Sequence, residues 1–544
     1  MIKMKKAILL LVLVKFMFSS CSNRVDLLVH NAKIYTVNEN FDIASAFVVK
    51  NGKFVEVGGE DLINKYKPAN IVDARGLPIY PGFIDSHCDL FGLGLNKFKV
   101  NINRTNSVDQ VIRLLKEHQV AYGQKFLHGI GWDKDNWEPN LSSLKKLSES
   151  FPDIPVILER IDKKVLIANN KALEIANIDE ITRIDGDQII LKNEELTDVL
   201  IVNATQLLDK LRPKLSRKEE VEALIKAQEI CFENGLTTID QVGITKDKIL
   251  LIDSLQKRDL IKLRIYSMIL NDSSSMEYFF KIGGIKNNLL NVNSVEVKLD
   301  GFLSEQTVSL KEDYNNLNYK NSKPFINKDS LHVLADILIK NSFQMNVRAS
   351  GDSANEMVLE TYNLILSDLL DPRWRIESAQ LISEEDISKI NSKIIPSIQP
   401  INDIVQIKSA KSKLDSERLK NAFAYKDLLD WSGVLALGSN FTYEVINPLN
   451  TFFAAVNRRL NDEKSQEGFQ MKNSLSRYEA LVGMTRWAAY ANFEENEKGS
   501  IESGKLADFV FLDRDIMTID MNEVPRTRVV ATILNGKIVY SNRL

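Results

Sequence analysis

Residues 81–90 read Pro-Gly-Phe-Ile-Asp-Ser-His-Cys-Asp-Leu, and the fold is inferred outward from them. Apolar residues lead into a polar cluster that ends at Gly92 and Gly94, which is typical of a buried strand whose carboxyl end opens into a loop. His87 and Asp89 lie two residues apart, so on a strand their side chains project to the same side. Because imidazole suits zinc and carboxylate suits many cations, the pair is a candidate metal clasp. The alternative is an ordinary strand end followed by polar loop residues.

Length and composition describe a large globular protein. The chain has 544 residues, of which 44% are hydrophobic and 26% charged, with a formal net charge of -3. It is long enough for a large core and too long for one ordinary compact domain. Nucleic-acid binding would need a concentrated basic face, and the near-neutral balance makes no case for one, so no nucleic-acid partner is expected. Cys88 and Cys231 lie far apart in the sequence, and no disulfide framework is predicted.

The first residues have the pattern of a targeting segment. Three lysines lead into an apolar run at residues 7–14, and small residues follow before Cys21. This predicts a secretory signal over residues 1–21, since the run is too short for a permanent membrane span. Ser19 and Ser20 before Cys21 resemble a bacterial lipobox. That resemblance implies an exported lipoprotein, periplasmic or on the cell surface, anchored to the membrane by a lipid on Cys21. The alternatives are cleavage with release and an uncleaved cytoplasmic start.

Both ends of the remaining chain have the pattern of a small β-domain. Short apolar runs flank Asn51-Gly52 near the start and Asn535-Gly536 near the end, and Asn-Gly between such runs is a strong hairpin signal. Residues 22–80 and 497–544 are therefore predicted to form one composite β-sandwich.

The long middle, residues 81–496, alternates strand-like apolar runs with amphipathic helical stretches. This alternation predicts an α/β barrel or a doubly wound sheet. In a barrel, functional groups cluster where the strands end, on the carboxyl face, and the polar residues of this region do follow the strand candidates. The excess length at about residues 100–210 predicts an inserted subdomain that covers the barrel mouth.

Motifs spread along nearly the whole chain resemble the family-3 branch of the amidohydrolase superfamily, which includes N-substituted formamide deformylases. The resemblance implies a TIM-type (β/α)8 barrel with an inserted subdomain and a composite β-sandwich. It also implies hydrolysis of non-peptide C–N bonds with one or two metal ions, zinc in the family. The stretches that carry it, beside residues 81–87, are Gly131-Trp132-Asp133, Arg160-Ile161-Asp162, residues 170–173, residues 297–301, residues 343–352, residues 375–380, residues 437–441 and residues 497–508.

The metal-ligand positions of these motifs are largely substituted. The family's first strand normally has His-x-His, and here the second histidine is replaced by Asp89. Arg348 and Ser378 stand where the resemblance implies two later histidines, and Asn440 stands where it implies the aspartate that acts as general base. Of the five histidines in the chain, only His87 falls on a motif position. The resemblance therefore leaves His87, Asp89 and Lys298 as vestigial metal ligands, with Lys298 able to assist only if carboxylated.

These substitutions weaken every part of metal-dependent hydrolysis. Zinc needs three or four N, O or S ligands, and His87 with Asp89 would not hold it tightly. The guanidinium of Arg348 stays charged in proteins and repels a cation. Asn440 cannot accept a proton from water. We therefore expect either no metal or a weakly bound divalent ion, and no catalytic residue is assigned.

The substituted residues also suggest a ligand pocket. One hypothesis is that the fixed charge of Arg348 replaces that of the metal and pairs with Asp89, or with a carboxylate or carbonyl of a bound ligand. Ser378 and Asn440 would then be neutral hydrogen-bonding groups in the same pocket. The alternative is that all four positions are unselected remnants of an old site.

Three further residues have two interpretations each. Trp132 and Asp133 either help to shape the pocket or belong to the subdomain core. Cys88 lies between His87 and Asp89, but on a strand it points away from both, so a buried hydrophobic role is the alternative to a nucleophile.

Three classes of function remain open. The first is a pseudoenzyme, a lipoprotein whose barrel mouth binds an unidentified small molecule. The second is an active metal-dependent amidohydrolase with a reduced site. The third is a scaffold or partner-binding surface lipoprotein. The missing metal ligands favour the first and third over the second.

Overall fold

The computed structural model divides the chain into two compact units, residues 91–227 and the remainder. It describes residues 23–103, 105–132, 141–160, 165–177, 189–192, 195–201, 215–315, 321–441, 446–460 and 467–542. The predicted signal segment with Cys21, and the motif residues Asp133 and Asp162, lie outside these ranges.

Two sheets form the β-sandwich of the larger unit. One has four strands, in the order Lys53–Gly58, Ala46–Lys50, Arg24–His30 and Lys67–Asp73. The other has six strands from both ends of the chain, so the predicted composite sandwich is confirmed; in sheet order they are Lys537–Ser541, Val529–Leu534, Phe509–Leu512, Pro78–Pro81, Lys33–Tyr35 and Ile43–Ala44.

Both predicted hairpins are present in the sandwich. Asn51 and Gly52 have φ values of 53° and 74°, and Asn535 and Gly536 have φ values of 52° and 71°. Positive φ at both central residues is the conformation that makes Asn-Gly the preferred two-residue turn. Each turn joins two antiparallel strands.

The predicted TIM-type barrel is confirmed as a nearly closed sheet of eight parallel strands, with the short strand Ile285–Lys286 paired to its fourth member. Closure between the last strand and the first comes from the following loop, where the backbone N–H of Asn440 donates to the carbonyl of His87 at 3.0 Å. We number the barrel strands 1 to 8 in chain order: Phe83–Cys88, Leu236–Ile244, Arg264–Leu270, Leu290–Lys298, Gln344–Ala349, Trp374–Ser378, Ile394–Ile398 and Ala436–Leu437.

Helices alternate with the barrel strands, as the sequence pattern predicts. Several begin at a side-chain cap: Asp272 accepts from the backbone N–H of Ser275, and Ser476 forms a capping box with Glu479. The helices from barrel strand 2 onward are Lys246–Lys257, Ser273–Ile282, Lys328–Lys340, Asp352–Ile365, Glu384–Ile387, Pro400–Lys413, Ser416–Lys420, Tyr425–Ser432, Pro448–Asn457, Arg477–Gly483 and Arg486–Ala491, with 3₁₀ turns at Met471–Asn473 and Met521–Arg526.

A buried ion pair fastens the sandwich to the barrel. Arg264, at the start of barrel strand 3, is fully buried. Its Nε and Nη2 lie 2.6 and 2.9 Å from the two carboxylate oxygens of Asp508, and Nη2 also donates to Asn535 Oδ1 at 2.7 Å. Such a two-pronged arginine–carboxylate contact fixes orientation as well as distance.

The smaller unit, residues 91–227, has its own six-stranded sheet and hydrophobic core. The limits predicted for the insertion, and its position over the barrel mouth, stay predictions. Among the described residues of the whole chain, no helix is long and apolar enough to cross a membrane. The strands in sheet order are Ile189–Lys192, Glu195–Ile201, Val165–Ala168, Val156–Arg160, Leu127–Trp132 and Lys99–Asn101, and helices occupy Val108–Tyr122, Leu141–Ser150 and Asn170–Ala176. Two further helices, Leu90–Leu95 and Arg217–Glu233, cross the limits of this unit.

Candidate functional site

The register of barrel strands 4, 5 and 6 arranges their inward-facing residues in two layers. Residues that are partners across parallel strands share one face of the sheet. This face is the barrel interior, because Arg375 and Glu377 reach across to strands 1 and 2. The deep layer consists of Glu296, Asn346 and Arg375, and the mouth layer, at the carboxyl ends of the strands, consists of Lys298, Arg348 and Glu377.

His87 and Glu377 form a buried pair across the barrel. Nδ1 of His87 lies 2.7 Å from Glu377 Oε2, and both side chains are almost fully buried. Burial raises the pKa of Glu377, but the charges of Arg375 and His87 outweigh it and hold this pKa below its usual value. Glu377 is therefore a carboxylate that fixes one ring nitrogen of His87. The Nε2 atom of His87 has no hydrogen-bond partner in the described part of the chain.

Arg375 is the centre of a buried network that ties together four strands. Its guanidinium lies 2.7 Å from Asp240 and 2.7 Å from Glu377 Oε1, donates to Ser397 Oγ at 3.0 Å, and also bonds the carbonyl of Ser86. Burial raises the pKa of Asp240 to about 7, against the opposing effect of Arg375. The network holds strands 1, 2, 6 and 7 in fixed relation around His87.

Asp85 positions the loop that follows barrel strand 8. Its carboxylate accepts hydrogen bonds from the backbone N–H groups of Ser439 and His87, at 3.0 and 3.2 Å, and from Ser439 Oγ at 2.5 Å. Burial raises the pKa of Asp85 to about 6. The contact brings Asn440 beside strand 1.

His87 lies on barrel strand 1 and Asp89 lies just beyond its end, and their pairing as a metal clasp stays a prediction. Strand 1 ends at Cys88, and the Oδ1 atom of Asp89, beyond it, accepts from Gln241 Nε2 at 3.4 Å. Cys88 is fully buried, with Sγ 3.4 Å from the carbonyl of Asp240. Because burial raises the pKa of its thiol well above the usual value, Cys88 fits the hydrophobic alternative rather than the nucleophile.

Lys298 reaches the solvent, and the deep residue beside it is Glu296. The Lys298 side chain is 46% exposed and that of Glu296 is 1% exposed, with Lys298 Nζ 3.7 Å from Glu296 Oε2. Neither carboxylate oxygen of Glu296 has a hydrogen-bond partner among the described residues. Gly243, with φ of +44°, makes room for it, because a Cβ there would lie 2.1 Å from Glu296 Oε2. Our sequence interpretation missed Glu296, although residues two apart on a strand share a face.

Arg348 projects into the mouth with most of its donors unused. Its Nη2 donates to the backbone carbonyl of Asp300 at 3.3 Å, and its guanidinium carbon lies 4.9 Å from the centre of the Phe302 ring. Nε is buried without a hydrogen-bond partner among the described residues. The predicted pairing with Asp89 is not formed between these described side chains. Pairing with a ligand carboxylate or carbonyl stays a prediction.

Ser378 and Asn440 both stand in the left-handed backbone region at strand ends. Ser378 has φ of 76° and donates from Oγ to Gln399 Oε1 at 3.2 Å. Asn440 has φ of 62° and is 8% exposed. The structure brings Asn440 to the backbone of His87 and engages Ser378 with the loop after strand 7.

Trp132 lies in the smaller unit. It is 3% exposed and packs in that unit's hydrophobic core, with the guanidinium carbon of Arg160 5.8 Å from its ring centre. This contact supports the core interpretation of Trp132.

The residues of the barrel mouth do not fit a zinc site. One nitrogen of His87 is held by Glu377, Arg348 brings a permanent positive charge, and Ser378 and Asn440 offer only neutral oxygens. Among the described residues, no group of three or more His, Cys, Asp and Glu side chains is placed to hold a metal ion. We derive no catalytic step through a metal, and its absence or weak binding stays a prediction.

Comparison with known proteins agrees with the fold. The chain is 28% identical over 537 residues to Protein LONG AFTER FAR-RED 3 of Arabidopsis thaliana, covering 95% of this chain and 91% of that protein. It is 27% identical to the putative amidohydrolase YtcJ of Bacillus subtilis, covering 94% and 98%. It is 21% identical to the N-substituted formamide deformylase of Arthrobacter pascens, covering 95% and 98%.

Solved structures show the same architecture. An uncharacterized metal-dependent hydrolase from Pyrococcus horikoshii superposes with a TM-score of 0.76 at 22% identity, covering 91% of this chain and 99% of that chain. The Pyrococcus furiosus counterpart gives 0.75 at 22% identity, covering 90% and 100%. A sequence model of the amidohydrolase family matches residues 70–540, which is most of the chain. This protein therefore belongs to the amidohydrolase family.

Proposed function

We propose that the protein is an exported, lipid-anchored member of the amidohydrolase family whose barrel mouth binds a small ligand with an acidic or carbonyl group. In this proposal the family's metal-dependent hydrolysis of C–N bonds has been lost. The observation that carries the proposal is the placement of Arg348, a permanent cation in the mouth layer with a buried, unused Nε donor.

In this proposal the positive charge of Arg348 attracts the acidic or carbonyl group of the ligand, as a metal ion would by coordinating it. Guanidinium groups bind carboxylates through two parallel hydrogen bonds, and the Asp300 carbonyl and the Phe302 ring hold this guanidinium in place. Lys298, its partner across strands 4 and 5, adds a second positive charge. An acidic or carbonyl group entering the mouth would meet both cations.

The loss of hydrolysis is supported by the groups that would have to activate water. Zinc-bound water has a pKa of about 7, compared with about 15.7 for free water, and among the described residues we find no group in the mouth that compensates for losing that effect. Asn440 offers an amide where a general base is needed. Glu377 is already committed to His87 and Arg375.

Export and lipid anchoring rest on residues 1–21 alone. Mass measurement of the mature protein from its native host tests this part independently. We expect an N-terminal Cys21 that carries lipid. An unprocessed Met1, or a free N-terminus without lipid, would refute the anchor.

Metal content tests the loss of hydrolysis. We expect purified full-length protein to contain well under one equivalent of zinc, manganese or iron by elemental analysis, even after incubation with excess divalent ion. His87→Ala is the control. Near-stoichiometric metal that this variant loses would overturn the proposal and support the alternative of an active hydrolase with a reduced site.

Ligand binding is tested with Arg348→Ala. Binding of small carboxylates to the parent, measured by calorimetry, should weaken at least about tenfold in this variant, which corresponds to about 1.4 kcal/mol. Equal affinity in the two proteins would remove Arg348 from the proposal.

A further inference from the structure

The deep layer contains polar groups that lack partners, directly below the two cations of the mouth layer. Glu296 is 2% exposed and Asn346 is fully buried. Both carboxylate oxygens of Glu296, and both polar atoms of the Asn346 amide, have no hydrogen-bond partner in the part of the chain that the structure describes. The two residues are cross-strand partners, so these unused groups adjoin one another on the inner face.

Unpartnered buried groups of this kind are costly. A buried polar group without a hydrogen bond costs on the order of 1–3 kcal/mol, and an unpaired charge costs more. Among the described side chains, Glu296 forms an ion pair with Lys298, whose Nζ lies 3.7 Å from Oε2, too far for a hydrogen bond, on a side chain that is 46% exposed. Glu296 and Asn346 are therefore arranged to receive a donor from outside the chain.

Gly243 fixes where the Glu296 carboxylate lies. Its φ of +44° is one that residues with a side chain rarely adopt, and a Cβ would fall 2.1 Å from Glu296 Oε2. The lack of a side chain at Gly243 thus lets the Glu296 carboxylate lie against the backbone of barrel strand 2.

We propose that the ligand of this barrel is a zwitterion of the ω-amino acid type. Its cationic nitrogen is bound by Glu296 and Asn346, and its acidic group is bound by Arg348 and Lys298. This inference deepens the proposed function and rests on it, because it places the acidic group on Arg348.

The register sets the spacing of the two charges. The two layers are two residues apart on the strands, and a rise of about 3.3 Å per residue separates them by about 6.6 Å. The ammonium and carboxylate of an α-amino acid are too close together to reach both layers. A ligand with several methylene groups between its charged ends fits better.

Calorimetry with a chain-length series tests the inference on the full-length protein. The probes are glycine, 4-aminobutyrate, 5-aminopentanoate and 6-aminohexanoate. The controls are pentanoate, pentylamine and 5-acetamidopentanoate, which lack one charge each. We expect the longer amino acids to bind at least about tenfold more tightly than glycine and than every control.

Variants separate the two charges. Glu296→Gln should weaken 5-aminopentanoate at least about tenfold and leave pentanoate unchanged, whereas Arg348→Gln should weaken both. The comparison of 5-aminopentanoate with 5-acetamidopentanoate uses only the parent protein. It therefore tests the cationic subsite even if a variant fails to fold.

Three results would overturn the inference. If pentanoate binds through Arg348 as tightly as 5-aminopentanoate, the cationic subsite is refuted and the proposed function stands. If none of the ω-amino acids binds, or if Glu296→Gln leaves their affinity unchanged, the proposal that the ligand is a zwitterion held by Glu296 is refuted.

Discussion

The two sides of the barrel interior differ in how fully their buried charges are paired by other side chains. On the side of strands 1, 2 and 6, Arg375 is paired with both Asp240 and Glu377, and Glu377 also holds His87. On the side of strands 4 and 5, Glu296 and Arg348 keep buried polar atoms without partners among the described residues. Both sets face the same interior, within a few residues of the strand ends.

This difference distinguishes charges that are paired within the folded protein from charges that remain able to bind a ligand. A buried charge contributes to a folded protein only when it is paired and hydrogen-bonded. Arg375 comes close to that condition without any ligand: its Nη1 and Nη2 donate to Asp240, Ser86 and Ser397, and its Nε lies 2.7 Å from Glu377 Oε1 as an ion pair without hydrogen-bond geometry. The group around Glu296 and Arg348 does not meet it. We therefore expect substitutions in the paired set to change stability, and substitutions in the unpaired set to change binding.

The largest effect is expected from Arg375→Met. The variant leaves Asp240 and Glu377 with buried, uncompensated charge, which should lower the free energy of unfolding by about 3–5 kcal/mol. The measurement is urea unfolding followed by circular dichroism. Arg348→Met is the matched control, with an expected loss below about 1.5 kcal/mol. Equal losses in the two arginine variants would mean that the two sides of the interior do not differ.

A matched pair of glutamate variants sharpens the same comparison. Glu377→Gln removes the charge that pairs with Arg375 and His87, and should cost about 2–3 kcal/mol of stability. Glu296→Gln removes a buried charge whose oxygens have no hydrogen bond from any described residue, so we expect a change of less than about 1 kcal/mol, or a gain. Both are read from urea midpoints. A large loss for Glu296→Gln alone would reverse our assignment of the two residues.

Local patterns predicted much of the fold. The Asn-Gly turns and the strand ending at Cys88 follow from the residues themselves, since turn chemistry and apolar runs are short-range signals. The composite sandwich and the barrel followed from the order of such elements and from family motifs. Strand 1 was therefore predicted within a few residues.

The site was harder to predict because its contacts are long-range. His87 and Glu377 are 290 residues apart in the sequence, and no local signal reports that they meet. Lys298 drew attention through its motif, while Glu296 was missed, although strand alternation places both on one face. What the sequence could not give is which of the two is buried, because this depends on neighbouring strands.

Another buried carboxylate, Asp403, is an intermediate case between the paired Glu377 and the less paired Glu296. It accepts hydrogen bonds from Gln380 at 2.7 Å and from Tyr425 at 2.9 Å, which are neutral donors. Burial raises its pKa from 3.8 to about 7, and these bonds offset the shift only in part. A raised pKa contributes stability that is complete below pH about 4 and is lost as the pH rises through about 7.

Asp403→Asn should remove part of the stability loss that the parent protein shows as the pH rises, because asparagine does not titrate. At pH 8 we expect the free energy of unfolding of the variant, measured with urea, to exceed that of the parent by about 1–2 kcal/mol. At pH 5 we expect no gain. Asp515→Asn is a control of opposite sign, because hydrogen bonds from Lys33 and Tyr35 outweigh burial and lower the pKa of Asp515. A gain for Asp403→Asn that is the same at both pH values would exclude titration as its cause.

The smallest effect is expected from Lys298→Met. The ammonium is half exposed and 3.7 Å from its partner, and exposed ion pairs contribute about 0–1 kcal/mol. The urea midpoint should therefore hardly move. The variant also removes the cation nearest to Glu296, so affinity for a simple amine such as pentylamine should rise. A stability loss above about 2 kcal/mol would instead make Lys298 the structural partner of Glu296, and the paired side of the interior would then extend to strand 4.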